Sequence, residues 1–178
     1  MSVGQRKLTY REYACYPDDG RRHEIIDGEH YVNPAPSTYH QDVSRLIQYQ
    51  LMTQIELPGH GRVMNAPVDL EITPHDIVQP DLVVVMKDRR IVTPSKIKGV
   101  PNLIVEILSP SSDQNDRVLK FSLFERTGVD EYWIVDPEEH VIEQHVLQSG
   151  RYQMTKHEQE ITSQRINPTA TVDLSKVW

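Results

Sequence analysis

Hydrophobic and polar positions change their period several times along this chain, and each change outlines an element. Residues 8–17 (LTYREYACYP) read as a short helix stopped by Pro17, with the polar PDDG turn after it. In RRHEIIDGEHYV the Asp27-Gly28 pair separates two short β-like runs and predicts a hairpin. From Ser37 the spacing lengthens, and Val43, Leu46, Ile47, Leu51 and Ile55 recur at three- and four-residue intervals. Thr38 with Gln41 forms a candidate capping box and Pro58-Gly59 ends the run, which predicts one long amphipathic helix. Strands follow over Val63–Ile72, Ile77–Met86 and Leu103–Leu108. SPSSD then opens a second helix that runs to Arg126 and is closed by Gly128. EYWIV, HVIEQHVL and RYQMT read as further strands, with Ser149-Gly150 as a hairpin turn, and the tail from Thr162 to Trp178 reads as a loop docked over the body. This order of elements indicates an α/β (α+β) fold in which a mixed sheet carries helices on its faces.

One stretch resists its own pattern. IVQPDLVVV (Ile77–Val85) has the composition of a strand buried on both faces, yet it contains Pro80 and Asp81. A proline donates no ladder hydrogen bond, and a buried carboxylate is costly unless something neutralises it. Alternation puts Asp81 on the face of Val83 and Val85, and in NLIVEILS it puts Glu106 on the face of Ile104 and Leu108. A single such acid is most simply a strand-end carboxylate, solvated or paired with Arg. Two of them on neighbouring apolar strands make an oxygen-rich site of the kind that suits Mg²⁺ or Mn²⁺.

Composition narrows the alternatives. The 178 residues, 38 % hydrophobic and 25 % charged, suit one domain spanning residues 1–178. No stretch approaches a membrane span and MSVGQRKLTY lacks the apolar core of a signal peptide, so a cytoplasmic location is expected. The single cysteine, Cys15, excludes an internal disulfide and a cysteine-built zinc site. With 19 Lys+Arg against 26 Asp+Glu the net charge is −7, which argues against a general coat for nucleic acid. The local clusters Arg21-Arg22, Lys87 with Arg89-Arg90, Lys96 with Lys98, and Arg117 with Lys120 each read most simply as solvated surface charge.

Pro80-Asp81 followed by Glu106 in a hydrophobic strand resembles the PD-(D/E)XK nuclease superfamily, with its restriction-endonuclease-like fold. More narrowly, HEIIDGE, PAPSTYH, QPDLVVV, LIVEILSPSS and GVDEYWIVDP, in this order between residues 23 and 137, resemble the Uma-two (Uma2) family, a bacterial group described as restriction endonucleases. The resemblance implies a divalent metal held by Asp81 and Glu106, with the backbone carbonyl of Ile107 as a further ligand. It also implies phosphodiester hydrolysis by activated water. The superfamily places a lysine two residues after the acid, where this chain has Leu108. Lys120, on the following helix, is the candidate substitute, as in superfamily branches whose lysine has migrated to a helix. The same residue also reads as a surface i,i+4 partner of Asp116.

Other residues join the candidate site with less to carry them. Glu24 matches the early glutamate of the family, and reads equally as a hairpin surface residue. His40, in the first turn of the long helix, could orient water or phosphate as a neutral imidazole. Asp69, out of phase with Val68, Leu70 and Ile72, faces either solvent or the site. Ser111 and Ser112 open the second helix near Glu106, where helix amides could receive a substrate phosphate or the serines could simply cap. The chain has no G-x-x-x-x-G-K-[ST], G-x-S-x-G or H-E-x-x-H. His140 and His145, five apart, would fall on opposite faces of a strand and share no metal. Two hypotheses follow: a Mg²⁺- or Mn²⁺-dependent nuclease acting on DNA, with RNA as an alternative, and a non-catalytic nucleic-acid-binding or assembly module on the same fold. A symmetric homodimer is the expected assembly.

Overall fold

The computed structural model describes residues 6–109 and 115–178. Helix α1 (Tyr10–Tyr13) is a single turn capped by Thr9 and Glu12, shorter than the 8–17 pattern predicts. Strands β1 (Arg22–Ile26) and β2 (Glu29–Asn33) form the expected hairpin, whose turn residues Asp27 and Gly28 both have positive φ, at 51° and 81°. Helix α2 (Thr38–Leu51) continues as a π-helical turn, Met52–Glu56. Its cap is Ser37, whose side chain accepts from His40 N, one residue earlier than the capping box anticipated from Thr38.

The two long strands expected next are each divided between two sheets. Strands β3 (Gly61–Asn65) and β4 (Leu70–Thr73) are separated at Ala66-Pro67, and β5 (Asp76–Val78) and β6 (Leu82–Met86) are separated at Gln79-Pro80-Asp81. The prolines mark the crossings, since neither position needs a ladder N–H once the chain leaves one sheet for the other. With β7 (Ile97–Lys98), the first sheet runs β2-β1-β5-β4-β7. The second holds β8 (Leu103–Ile107), β9 (Glu131–Asp136), β10 (Val141–Gln148) and β11 (Arg151–His157), in the order β11-β10-β9-β8-β6-β3. In it β8 lies antiparallel to β6 and parallel to β9, so the sheet is mixed as expected. Strands β6 and β8 are buried along their whole length, which is why they read as unbroken apolar runs.

One face of the six-stranded sheet packs on α2 through Val43, Ile47 and Leu51 and on the π-helical turn through Ile55. The tail contributes Ile161, Val172, Leu174 and Val177 to the same core, so it is not the loop expected. It forms β12 (Glu160–Thr162), β13 (Thr171–Asp173) and a closing 3-10 turn. Fully buried Glu131 fastens it, accepting from Trp133 Nε1, Gln144 Nε2, Gln164 N and Arg165 N at 2.6–3.0 Å. The other face meets the five-stranded sheet and helix α3 (Phe121–Thr127), with Val83, Val85, Ile104, Leu108 and Tyr132 against Leu70, Val78, Ile97, Leu123 and Phe124. A π-helical segment, Asn115–Lys120, leads into α3, and Gly128 closes the helix in the left-handed conformation. No helix among the described residues is long and apolar enough to cross a membrane.

Close approach at the outer edge of this sheet has a measurable consequence. A Cβ on Gly61 would lie 2.6 Å from Val85 O and 3.0 Å from Met86 Cα, both backbone atoms of the adjacent strand. Gly61→Ala must therefore push β3 from β6, and a loss of about 1–3 kcal/mol in urea unfolding is expected. An unchanged midpoint would mean that the strands part freely there.

Candidate active site

The crossing at Gln79-Pro80-Asp81 delivers a carboxylate into the seam between the two sheets. Because Leu82 pairs with Val105, the residue before β6 comes opposite Glu106. Two reciprocal hydrogen bonds lock this register: Asp81 N donates to Glu106 Oε2 at 3.1 Å, and Ile107 N donates to Asp81 Oδ2 at 2.9 Å. Asp81 is 4 % exposed and Glu106 1 %. The pairing expected of these two acids is thus present, although Asp81 stands at a junction and not within a strand.

Each acid has its own cations. Arg22 Nη1 donates to Asp81 Oδ1 at 2.7 Å, and His40 Nε2 lies 3.0 Å from Asp81 Oδ2. Burial works against the Asp81 charge, but the His40 hydrogen bond and the Arg22 guanidinium outweigh it and hold this carboxyl well below the usual range. Lys120 Nζ lies 2.8 Å from Glu106 Oε1, 3.2 Å from Glu24 Oε1 and 3.3 Å from Asp116 Oδ1. Its side chain is 3 % exposed, so the reading as a surface partner of Asp116 does not hold. The i,i+4 contact exists, but it is one arm of a buried cluster. Burial opposes the Lys120 charge, and Glu106, Glu24 and Asp116 together raise its pKa well above the ordinary value. Burial pushes Glu106 up, as do Asp116, Asp81 and Glu24, against the pull of Lys120.

Glu24 is buried and not a hairpin surface residue. Its Oε1 accepts from Gln79 N at 2.8 Å and its Oε2 from Asn33 Nδ2 at 2.7 Å, so β1, β2 and the crossing are tied together by one side chain. His40, 4 % exposed, is likewise not a solvated helix-start residue, and its buried Nδ1 has no hydrogen-bond partner among the described residues. Asp69 does not face the carboxylate cluster: it is half-buried on the solvent-facing side, where it accepts from Tyr13, Tyr10 and Gln79 beneath α1. Ser111 and Ser112 lie outside the described residues. His140 sits in a turn stacked on Trp178, while His145 is in β10, so these two do not meet. Arg22 and Asp116 are site residues that sequence reasoning missed. The alternation that puts Arg22 on the face of Glu24 in β1 was the available signal for the first.

The donor set bears on whether a hard cation fits. Among the described residues, four buried carboxylates (Glu24, Asp81, Glu106, Asp116) face two permanent cations (Arg22, Lys120), leaving an excess of two negative charges when all are ionised. Among the same residues no group of three His, Cys, Asp or Glu side chains is arranged to hold a metal ion by itself. Mg²⁺ or Mn²⁺ is commonly held by one or two carboxylates with water and substrate phosphate completing the shell, which is the number of acids Asp81 and Glu106 would offer. Within the described residues, Asp81 Oδ1 and both Glu106 oxygens each accept a single bond, so lone pairs remain for such an ion.

Comparison with known proteins agrees with this architecture. A crystal structure titled as a putative nuclease belonging to DUF820, from Anabaena variabilis ATCC 29413, superposes with a TM-score of 0.71 over 85 % of each chain at 18 % identity, which establishes the shared fold. No curated protein matches. Residues 10–175 match the Uma2 model, described as "Putative restriction endonuclease", and that match takes in both sheets and every residue of the carboxylate cluster: the chain belongs to the Uma2 family.

Proposed function

We propose that this protein is a metal-dependent nuclease that hydrolyses phosphodiester bonds of DNA with an activated water. The observation that carries the reading is the register-locked pair Asp81 and Glu106, with the Lys120 ammonium on Glu106. Asp81 and Glu106 would hold Mg²⁺ or Mn²⁺, with the Ile107 carbonyl as a further ligand. When bound, the ion would polarise the phosphate and lower the pKa of water. Lys120 takes the part of the lysine missing at Leu108, opposing negative charge on the phosphate and the attacking hydroxide. Glu24 fixes the height of Lys120 and the turn before Asp81. His40 holds Asp81 through Nε2. A break in both strands of a duplex would call for two copies, so a homodimer is the assembly that goes with duplex cleavage.

Leu108 favours the second reading, a module that binds nucleic acid or assembles with a partner without cutting, and within it the net charge of −7 favours assembly. End-labelled single-stranded DNA and plasmid, incubated with millimolar Mn²⁺ or with EDTA, separate the two. Cleavage abolished by EDTA is expected, and binding with no cleavage would leave the module. Because a ligand of the folded state stabilises by mass action, Mn²⁺ should also raise the melting temperature of the metal-free protein. A melting curve unmoved by saturating Mn²⁺ in the presence of DNA would count against an assembled site.

A further inference from the structure

Beside the carboxylate cluster lies a cavity of about 380 Å³ walled by Tyr10, Tyr13 and Tyr16, together with Asp69, Gln79 and the exposed Arg21. Its aromatic wall follows from spacing, since residues three apart fall on one side of a helical turn. Successive ring centroids are 5.5 and 6.0 Å apart. The rings are held in place before any ligand arrives. Tyr13 and Tyr10 hydroxyls donate to the two oxygens of Asp69 at 2.6 and 3.2 Å, and Gln79 Nε2 donates to Asp69 Oδ1 at 3.0 Å and to the Tyr13 hydroxyl at 2.9 Å. Tyr16 stacks on His30 at 4.2 Å, and the Lys96 ammonium lies 3.0 Å from the centre of the Tyr10 ring. Rings fixed in this way lose little freedom when a flat partner stacks on them.

Gln79 joins this cavity to the carboxylates. Its N–H is bonded to Glu24, its carbonyl accepts from Arg22 at 3.4 Å, and it stands two residues before Asp81, a reach of at most about 7 Å of chain. A second hollow of about 300 Å³, which Arg22 and Gln41 help to line, shares Asp18, Arg21 and Gln79 with the first. Gln79 is therefore the residue through which a flat group among the tyrosines and a phosphate near Asp81 would be joined.

We infer that the tyrosine cavity is a subsite for an unstacked nucleobase, and that the substrate class is single-stranded DNA. The inference deepens the nuclease reading and rests on it for the position of the phosphate. Every base offers a face to an aromatic ring, so such a site is tolerant of sequence, while Asp69 Oδ2 and Gln79 Oε1 keep lone pairs that can accept from a base edge. Bases inside a duplex are out of reach unless flipped. A duplex also carries one charge per about 1.7 Å of axis, twice that of a single strand, against a protein whose net charge is −7.

The test reads binding in Ca²⁺, apart from cleavage, with strands of about 10 nucleotides, within the site sizes of single-strand binders. Wild-type protein is expected to quench 2-aminopurine in the single strand and to bind it more tightly than the matched duplex. A strand of abasic sites, which keeps every phosphate and no base, should bind at least about 10-fold more weakly, and Tyr16→Leu should show a similar loss on the normal strand while Tyr16→Phe does not. Equal affinity for normal and abasic strands, an absence of quenching, or an absence of binding overturns the subsite. The abasic comparison needs no variant, so a misfolded Tyr16→Leu does not weaken it. Binding with quenching but without cleavage in Mn²⁺ keeps the subsite and removes the nuclease reading. Cleavage without quenching does the reverse.

Discussion

Asp81→Asn and Glu106→Gln are each expected to lower metal-dependent DNA cleavage by at least about 100-fold, since even the outer partners of metal ligands contribute 10- to 100-fold. The two variants should differ in stability. Asp81→Asn leaves the Arg22 guanidinium, whose side chain is only 19 % exposed, without its carboxylate, and breaking a buried pair from one side is destabilising. Glu106→Gln mimics the neutral form toward which burial and three neighbouring acids already push Glu106, and Lys120 keeps Glu24 and Asp116. Glu106→Gln should therefore match or exceed the wild type in metal-free urea unfolding, and Asp81→Asn should fall below it. Wild-type cleavage rates in both variants would refute the assignment. Equal stability losses would refute the charge balance described for the cluster.

Lys120→Met should cost about 3–5 kcal/mol, because it strands three carboxylates in a buried site. A surface i,i+4 pair would cost only about 0.3–0.5 kcal/mol, and the 3 % exposure of the lysine decides between these values. Cleavage should collapse as well, and Mg²⁺ should raise the melting temperature of the variant more than that of the wild type, since a dication takes over part of the neutralisation. Leu108→Lys in the Lys120→Met background tests the replacement directly. Residue 108 shares the face of Glu106, so partial recovery of cleavage is expected there. Full activity in Lys120→Met alone would end the idea of a migrated lysine.

Much of this site was legible because inward acids on apolar strands are physically expensive. Asp81 and Glu106 stood out for that reason, and the resemblance to a nuclease family pointed to Lys120. Arg22 did not stand out, since a cation beside Arg21 at a hairpin start looks solvated until the pairing of β1 with β5 turns it toward the crossing. Asp116 was hidden by its regular spacing from Lys120, which is the same on a surface and in a core. The strands were misjudged at Pro67 and Pro80: periodicity reports burial, and both sheets bury their strands, so a run that passes between sheets looks continuous. The tail was opaque because its short strands owe their place to Glu131, a contact more than thirty residues away in the chain.

The lysine that completes the cluster is carried on a π-helical segment, Asn115–Lys120, and not on a strand. A π turn holds one residue more than an α turn, and such insertions are concentrated at functional sites. Removing that residue would let the segment relax to ordinary α-helix with its two ends still nearly in phase, whereas losing a second residue between Asp116 and Lys120, with no wide turn left to absorb it, would swing one side by about 100° relative to the other. Asp116 and Lys120 would then no longer face Glu106 together, although every side chain of the cluster would still be encoded. In this fold the length of the segment before α3 is therefore as much a determinant of the site as its chemistry. Relatives that keep the acids but lack two residues there would have to place their lysine elsewhere.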